Sequence, residues 1–237
     1  MSSTEARANA VREMFSSIAH RYDFLNRLLS FRQDVRWRKK AVASLGPLSG
    51  RTFLDIACGT GDLSIAIAEA GGESASVVGG DFSPEMVEIG LQKVETKNLA
   101  GRVRLERADA LSLPYPDNSF DGVTCAFGVR NFADLDRGLK EMARVIKPGG
   151  RMVILEFTTP TSPLMAFFYR LYFTRVLPAI GGVVSGKRSA YEYLPDSVYK
   201  FPSPPELAEK IKSAGMASVS FAPLTFGICG IHSGTKP

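Results

Sequence analysis

The sequence predicts an α/β domain: a mostly parallel seven-stranded sheet with helices on both faces and an antiparallel hairpin at its C-terminal end. Three observations carry that prediction. Apolar strand-like runs alternate with helix-like segments from residue 52 to residue 157, as a parallel sheet with crossover helices requires. A glycine-containing turn, "DIACGTGD" at 55–62, joins the first run to the first crossover helix. Near the end, "ASVSFAPLT" (217–225) and "GICGIHSGT" (227–235) follow each other almost without a break and read as a hairpin.

The elements follow in order. Residues 11–29 place Val11, Met14, Phe15, Ile18, Tyr22, Leu25 and Leu29 at steps of three and four, one face of a helix. A basic patch, "RWRKK" (36–40), comes next, and "GPLSG" (46–50) reads as a linker. "TFLDIA" (52–57) is a buried-type strand, followed by a helix at 63–70 and a second strand, "SVVGGD" (76–81). Ser83 as N-cap and Pro84 at the first helical position open the next helix. "RVRLERAD" (102–109) and "FDGVTCAFGV" (120–129) are the third and fourth strands. Leu135, Leu139, Met142, Ala143 and Ile146 mark a helix over 134–146; "KPGG" (147–150) stops it, and "RMVILEF" (151–157) is the fifth strand. Residues 160–200 interrupt the alternation. This apolar stretch admits two readings, a pair of core-packed helices or a lid facing a membrane or an apolar ligand. Arg170 and Arg175 exclude a spanning helix and, five residues apart, do not share one polar face. A helix at 204–214 leads into the hairpin. We expect one domain, with a helical cap (1–50), a cofactor-binding core (51–157), a substrate-covering insertion (158–200) and a closing helix and hairpin (201–237).

Composition narrows the function classes. The chain of 237 residues is 45% hydrophobic and 22% charged, an ordinary globular balance. A net charge of +5 suits an anionic membrane surface or an acidic ligand and is too weak to point to nucleic acid. Three scattered cysteines, Cys58, Cys125 and Cys229, imply no disulfide framework. With only His20 and His232 there is no zinc spacing, and no metal is expected. The opening residues lack the apolar core of a signal peptide, so a reduced, cytoplasmic chain is expected.

The glycine turn carries the chemistry. Gly59 and Gly61 fit the first two places of a dinucleotide fingerprint, but Ser64 stands at the third. Acids flank the turn at Asp55 and Asp62. Like charges at ~4 Å cost roughly 1–4 kcal/mol, so this pair disfavours a diphosphate and favours a ligand bearing an ammonium and a sulfonium. S-adenosylmethionine carries both. Asp81 closes the second strand, where a carboxylate accepts from ribose hydroxyls. Asp109, at the end of the third, is placed to accept from an adenine amino group, with Ala110 alongside. Gly59, Thr60 and Gly61 let backbone approach the ligand closely. An NAD(P)-dependent oxidoreductase and a non-catalytic cofactor-fold module are the rival classes.

"DIACGTGD", "GGDFSPEM", "RADALSLPYPDNSFD" and "RVIKPGGRMVILEF" resemble class I S-adenosylmethionine-dependent methyltransferases. "YDFLNRLLSFRQDVRW" (22–37), "FGVRN" (127–131) and "YEYLPDS" (191–197) narrow the resemblance to the ubiquinone/menaquinone biosynthesis C-methyltransferases, over nearly the whole chain. The resemblance implies the Rossmann-like class I methyltransferase fold. It also implies methylation of a ring carbon of a reduced isoprenoid quinone precursor, demethylmenaquinol to menaquinol, with a ubiquinone-type benzoquinol as the alternative. It adds Phe82 and Ala126 to the cofactor residues, and Tyr22, Asn26, Trp37, Tyr191 and Tyr193 as substrate-pocket residues. The sulfonium already makes the methyl electrophilic, so the protein must align the reactants and enrich the ring in electrons. Arg130, just past the fourth strand, is placed to favour a ring oxyanion, and Asn131 to orient the same oxygen; a structural ion pair with an acid such as Asp134 is the other reading of Arg130. Where members of that family often carry Gly and His, this chain has Arg32 and Asp34, and where some carry Ser it has Ala126. A prenylated quinol substrate implies an apolar access groove and transient contact at the inner face of the membrane, through 160–184 or the "RWRKK" patch. A homo-oligomer is compatible with all of this.

Overall fold

The computed structural model describes the backbone of residues 3–179, 181 and 188–237, and side chains over 9–179, 181 and 193–237. Among the described residues, one sheet contains β1 (Thr52–Ile56), β2 (Ser76–Asp81), β3 (Val103–Arg107), β4 (Phe120–Ala126), β5 (Ile146–Phe157), β6 (Ala217–Leu224) and β7 (Cys229–Thr235). The spatial order is β3-β2-β1-β4-β5-β7-β6. The first five strands pair in parallel, and β7 is inserted antiparallel between β5 and β6. Strand order reverses between β1 and β4, so the crevice at their carboxyl ends is where an open α/β sheet binds ligands.

The helices are α1 (Ser3–Leu29), α2 (Gln33–Ser44), α3 (Asp62–Gly71), α4 (Pro84–Thr96), α5 (Leu135–Val145), α6 (Pro163–Leu171), α7 (Arg188–Lys200) and α8 (Pro204–Ser213). Ser83 caps α4 by accepting from the Met86 N–H at 3.3 Å, with Pro84 at its first position. Asp134 does the same for α5 through Arg137 N–H at 3.0 Å. One apolar cluster, built on Trp37, Phe53, Ile67, Val77 and Leu105, fills one face of the sheet; another, built on Leu54, Phe120, Leu139, Met142 and Ile154, fills the other. A third joins α1 to the region after β5 through Ile18, Leu25, Tyr169, Phe173 and Leu177.

Several boundaries differ from expectation for local reasons. The third and fourth strands stop early, at Arg107 and Ala126; Phe127 turns to φ 58°, which ends the extended run. The fifth begins early, because Ile146 already pairs with Phe120 across a register shift at the "KPGG" loop. The "RWRKK" patch lies on α2, where Trp37 and Arg38 are buried while Arg36, Lys39 and Lys40 face solvent. α6 is followed by a π-type turn, Tyr172–Val176. That wider turn shifts the helical period, and Arg170 and Arg175 are both exposed. Among the described residues no helix is long and apolar enough to cross a membrane.

Candidate active site

The glycine turn folds as it does because the backbone reverses sharply between β1 and α3. Ala57, Gly59 and Gly61 have φ of 52°, 55° and 77°. A Cβ on Gly61 would stand 2.9 Å from Leu105 Cδ1, so glycine is required there by both conformation and space. The Gly59 N–H donates to Asp81 Oδ2 at 2.8 Å, and the Ser83 N–H to Asp81 Oδ1 at 2.9 Å. Asp81 therefore fixes the loop and the start of α4, with lone pairs left over for a ligand.

The structure corrects the expected role of both flanking acids. Asp55 is 1% exposed, accepting from Ser64 Oγ at 2.7 Å and Thr124 Oγ1 at 2.8 Å. It braces the turn from behind and lines neither of the two cavities described below. Burial raises its pKa to about 6, against the hydrogen bonds from Ser64 and Thr124. Asp62 points toward the N-terminal helices, paired with Arg38 at 3.0 Å, Arg27 at 3.2 Å, and Lys93. Burial alone would raise its pKa, but these cations outweigh it and hold the carboxyl below its usual range. Neither charge is free for a ligand's cationic groups. The acids that do face the crevice are Asp81 and Asp109.

Two cavities meet above the sheet. The first, of ≈ 150 Å³, is lined by Gly59, Asp81, Phe82, Asp109, Ala110, Ala126 and Asn131 among others. Arg12 and Arg107 stack on Phe82 at 5.6 and 5.5 Å. Asp109 is exposed in a turn past β3 and accepts from the Leu111 N–H at 2.9 Å. Thr60 and Gly61 support the loop without lining the cavity; Thr60 Oγ1 donates to Asp23 at 2.6 Å.

The second cavity, of ≈ 330 Å³ and mostly apolar, lies between α1, α2, the β5 end and α6; Tyr22, Asn26, Trp37, Arg130 and Tyr193 line it. Phe15, Tyr22 and Phe127 line both cavities and form their common wall. Trp37 is held by Nε1 donating to Thr225 Oγ1 at 2.8 Å. Tyr193 Oη donates to Asn131 Oδ1 at 3.0 Å, tying the two spaces together. The side chain of Tyr191 lies outside the described residues. Burial raises the Tyr22 pKa, against the fields of Arg130 and Arg38 and a hydrogen bond with Asn26.

Arg130 is buried, with Nη1 donating to Glu156 Oε1 at 2.8 Å and to the Phe127 carbonyl. Its structural partner is thus Glu156, not Asp134, which caps α5. Burial raises the Glu156 pKa, opposed chiefly by Arg130. The Arg130 Nε has no partner among the described residues. Glu156 escaped the sequence reading, although an acid near the end of an otherwise apolar strand, "MVILEF", was the visible signal. His20 is exposed on α1 and lines neither cavity. Burial pushes the pKa of all three thiols well up, so they remain unreactive packing groups.

The chain matches the ubiE/COQ5 methyltransferase family over residues 1–236. It belongs to that family. It is 50% identical over 230 residues to a protein of Deinococcus radiodurans named demethylmenaquinone methyltransferase, covering 97% of this chain and 94% of that one. It is likewise 50% identical over 226 residues to the ubiquinone/menaquinone biosynthesis C-methyltransferase of Geobacter sulfurreducens, covering 95% and 88%. Among solved structures, a methyltransferase of Thermotoga maritima described as a possible histamine N-methyltransferase superposes with a TM-score of 0.68, over 95% of this chain and 99% of that one. At 19% identity that likeness speaks for the fold alone.

Membership in the ubiE/COQ5 methyltransferase family makes S-adenosylmethionine the cofactor and sets aside the oxidoreductase and non-catalytic readings. The first cavity suits it on chemical grounds. Asp81 offers acceptors for vicinal hydroxyls, and Asp109 offers one for an exocyclic amine. Gly59 leaves backbone bare; a Cβ there would sit 3.9 Å from Tyr22 Cε1, in the wall between the cavities. Arg38 and Lys93, the cations paired with Asp62 of the turn together with Arg27, are committed to acids and not held out toward a phosphate. Ala126 presents only a methyl group to the first cavity and offers a ligand there no side-chain hydrogen bond.

Proposed function

We propose that the chain methylates a ring carbon of a reduced, prenylated quinone precursor, converting demethylmenaquinol to menaquinol. One observation carries the reading. An apolar cavity abuts the cofactor cavity through the shared wall of Tyr22 and Phe127, and the buried Arg130 guanidinium borders it. S-adenosylmethionine supplies an electrophilic methyl group when bound. The residues must then supply an electron-rich ring and alignment. A ring hydroxyl near Arg130 loses its proton more readily than its ordinary pKa of about 10 allows, and the oxyanion pushes electron density onto the neighbouring carbon. Glu156 holds the guanidinium, and Asn131, fixed by Tyr193, orients the same oxygen. Methyl transfer to that carbon would release the cofactor's neutral thioether, and the ring carbon would then lose its proton to solvent, restoring the aromatic ring.

The same reading includes peripheral contact with an anionic bilayer. Phe24, Leu28 and Phe31 at the end of α1, and Leu164, Phe167, Phe168 and Leu171 on α6, are exposed. The two groups are joined where Tyr172 Oη donates to the Leu29 carbonyl at 2.6 Å and the Phe31 and Tyr172 rings stand 6.3 Å apart. Phe31 and Phe168 also reach the second cavity, so the apolar surface leads into it. Arg170 is exposed on α6, Arg32 in the turn after α1, and Arg36, Lys39 and Lys40 on α2. Apolar side chains flanked by cations suit an anionic membrane face, from which a prenylated substrate can be drawn.

The test incubates purified protein with S-adenosylmethionine and either a prenylated naphthoquinol or a prenylated benzoquinol, each also in its oxidised form. Methylation of the reduced naphthoquinol ahead of the other three is expected. Preference for the benzoquinol moves the assignment to the ubiquinone-type substrate, and turnover of neither ring refutes it.

A further inference from the structure

Two residues that line the second cavity each bury a polar atom with no partner among the described residues: Arg130 Nε and Tyr169 Oη. Tyr169 is 4% exposed, on α6, and its ring is clamped against Phe173 with centroids 4.1 Å apart. The surrounding wall is apolar, including Phe157, Phe173 and Leu177. Phenylalanine would satisfy the packing equally well, and an unpaired buried hydroxyl costs roughly 1–3 kcal/mol. Burial first, then the field of Tyr199, raises its pKa, with Arg130 acting in the opposite sense. The hydroxyl is therefore protonated, a hydrogen-bond donor within the electrostatic reach of Arg130.

Resting on the quinol reading above, we infer that Tyr169 is a specificity-determining substrate residue, its hydroxyl donating to the second ring oxygen of a para-dihydroxy arene while Arg130 Nε takes the first. The first oxygen neighbours the carbon to be methylated; the second lies across the ring. Two fixed polar contacts in an apolar pocket define the ring's rotation as well as its position. Holding both oxygens presents one chosen carbon to the cofactor cavity. A site built to hydrogen-bond a substrate hydroxyl discriminates against an analogue without it far better than an apolar pocket can.

The experiment compares kcat/KM of the wild type and Tyr169→Phe on two substrates with the same prenyl tail. One is the naphthoquinol; the other is a naphthol that keeps the hydroxyl beside the acceptor carbon and carries hydrogen in place of the second. The variant should lose about ten-fold or more on the quinol and less than about three-fold on the naphthol. The ratio of the two substrates is read within one preparation, so any misfolded fraction cancels. Tyr169→Gln, which retains a donor, should recover part of the quinol preference. Equal losses on both substrates, or no loss on the quinol, overturn the inference. Wild-type inactivity on both rings would instead defeat the proposed function.

Discussion

Asp55 and Glu156 are carboxyls at the carboxyl ends of neighbouring parts of the sheet, and each is sealed from water for a different purpose. Asp55 accepts from two hydroxyls and the Ser64 backbone, with no cation paired to it among the described residues, and burial lifts its pKa to about 6. A carboxyl whose folded pKa exceeds its unfolded value of about 3.9 favours the folded state most below that value. Stability from this group is lost as pH rises toward 6 and does not fall further above it. Asp55→Asn removes the titration, so its stability relative to the wild type should climb between pH 4 and 6, by up to ~3 kcal/mol; urea midpoints across that range measure it. A constant difference would show that Asp55 does not titrate there. Glu156 instead has a guanidinium. Glu156→Ala leaves Arg130 buried and unpaired and should cost about 3–5 kcal/mol of unfolding free energy. Arg130→Ala should bind S-adenosylmethionine as the wild type does while turnover falls about 100-fold or more; calorimetry and initial rates separate the two effects. At this scale the sequence displayed the residue types but not their partners. Asp55 and Asp62 looked alike on the two sides of one turn, and only packing reveals that one braces β4 and α3 while the other serves α1, α2 and α4.

The N-terminal helices are fastened to the core by charge. Three acids, Asp23, Asp34 and Asp62, meet three cations, Arg27, Arg38 and Lys93, beneath the wall of the second cavity. Asp62→Ala leaves the cations short of a partner and should cost about 3 kcal/mol, with KM for the quinol rising more than the Kd for S-adenosylmethionine, because α1 and α2 wall the substrate side. The sign of its pH dependence is opposite to that of Asp55. Its folded pKa is depressed, so the stability it contributes is present above the ordinary carboxylate range and is lost as pH falls through it. Helix α1 was legible from its three-and-four spacing; α2 was not, because "RWRKK" advertises charge while Trp37 and Arg38 turn inward. In the described part of the stretch after β5 the core-packed reading holds, while the membrane-facing one remains part of the proposed function. Tyr169, Phe173 and Leu177 pack inward, and Leu164, Phe167 and Leu171 face out. Neither Leu164 nor Phe167 lines either cavity, so the double variant Leu164→Ser with Phe167→Ser changes no lining residue. It should bind phosphatidylglycerol vesicles at least about ten-fold more weakly, since each side chain withdrawn is worth about 1.5–3 kcal/mol, yet keep its turnover of a short-tailed quinol in solution.

Across the whole molecule, the sheet order puts β1 and β4 side by side, and with them the cofactor turn and the Phe127–Asn131 segment. Gly128 makes that neighbourhood possible: a Cβ there would stand 2.5 Å from Ala57 Cβ and 2.7 Å from Cys125 Sγ. Strand–helix alternation was sufficient to foresee the sheet and the edge along which the first cavity lies. The second cavity could not be foreseen from periodicity, because its wall draws on α1, α2, β5, α6 and the turn before β7, brought together only by tertiary packing. The proposed function has one chemical consequence above the rest: if Arg130 holds the ring oxygen, carbon and not oxygen should receive the methyl group. A single turnover with carbon-labelled S-adenosylmethionine and demethylmenaquinol, followed by NMR of the product, tests this directly. A labelled methyl bonded to ring carbon, formed only from the reduced quinone, is expected; a labelled methyl ether, or equal transfer to the oxidised quinone, would contradict it.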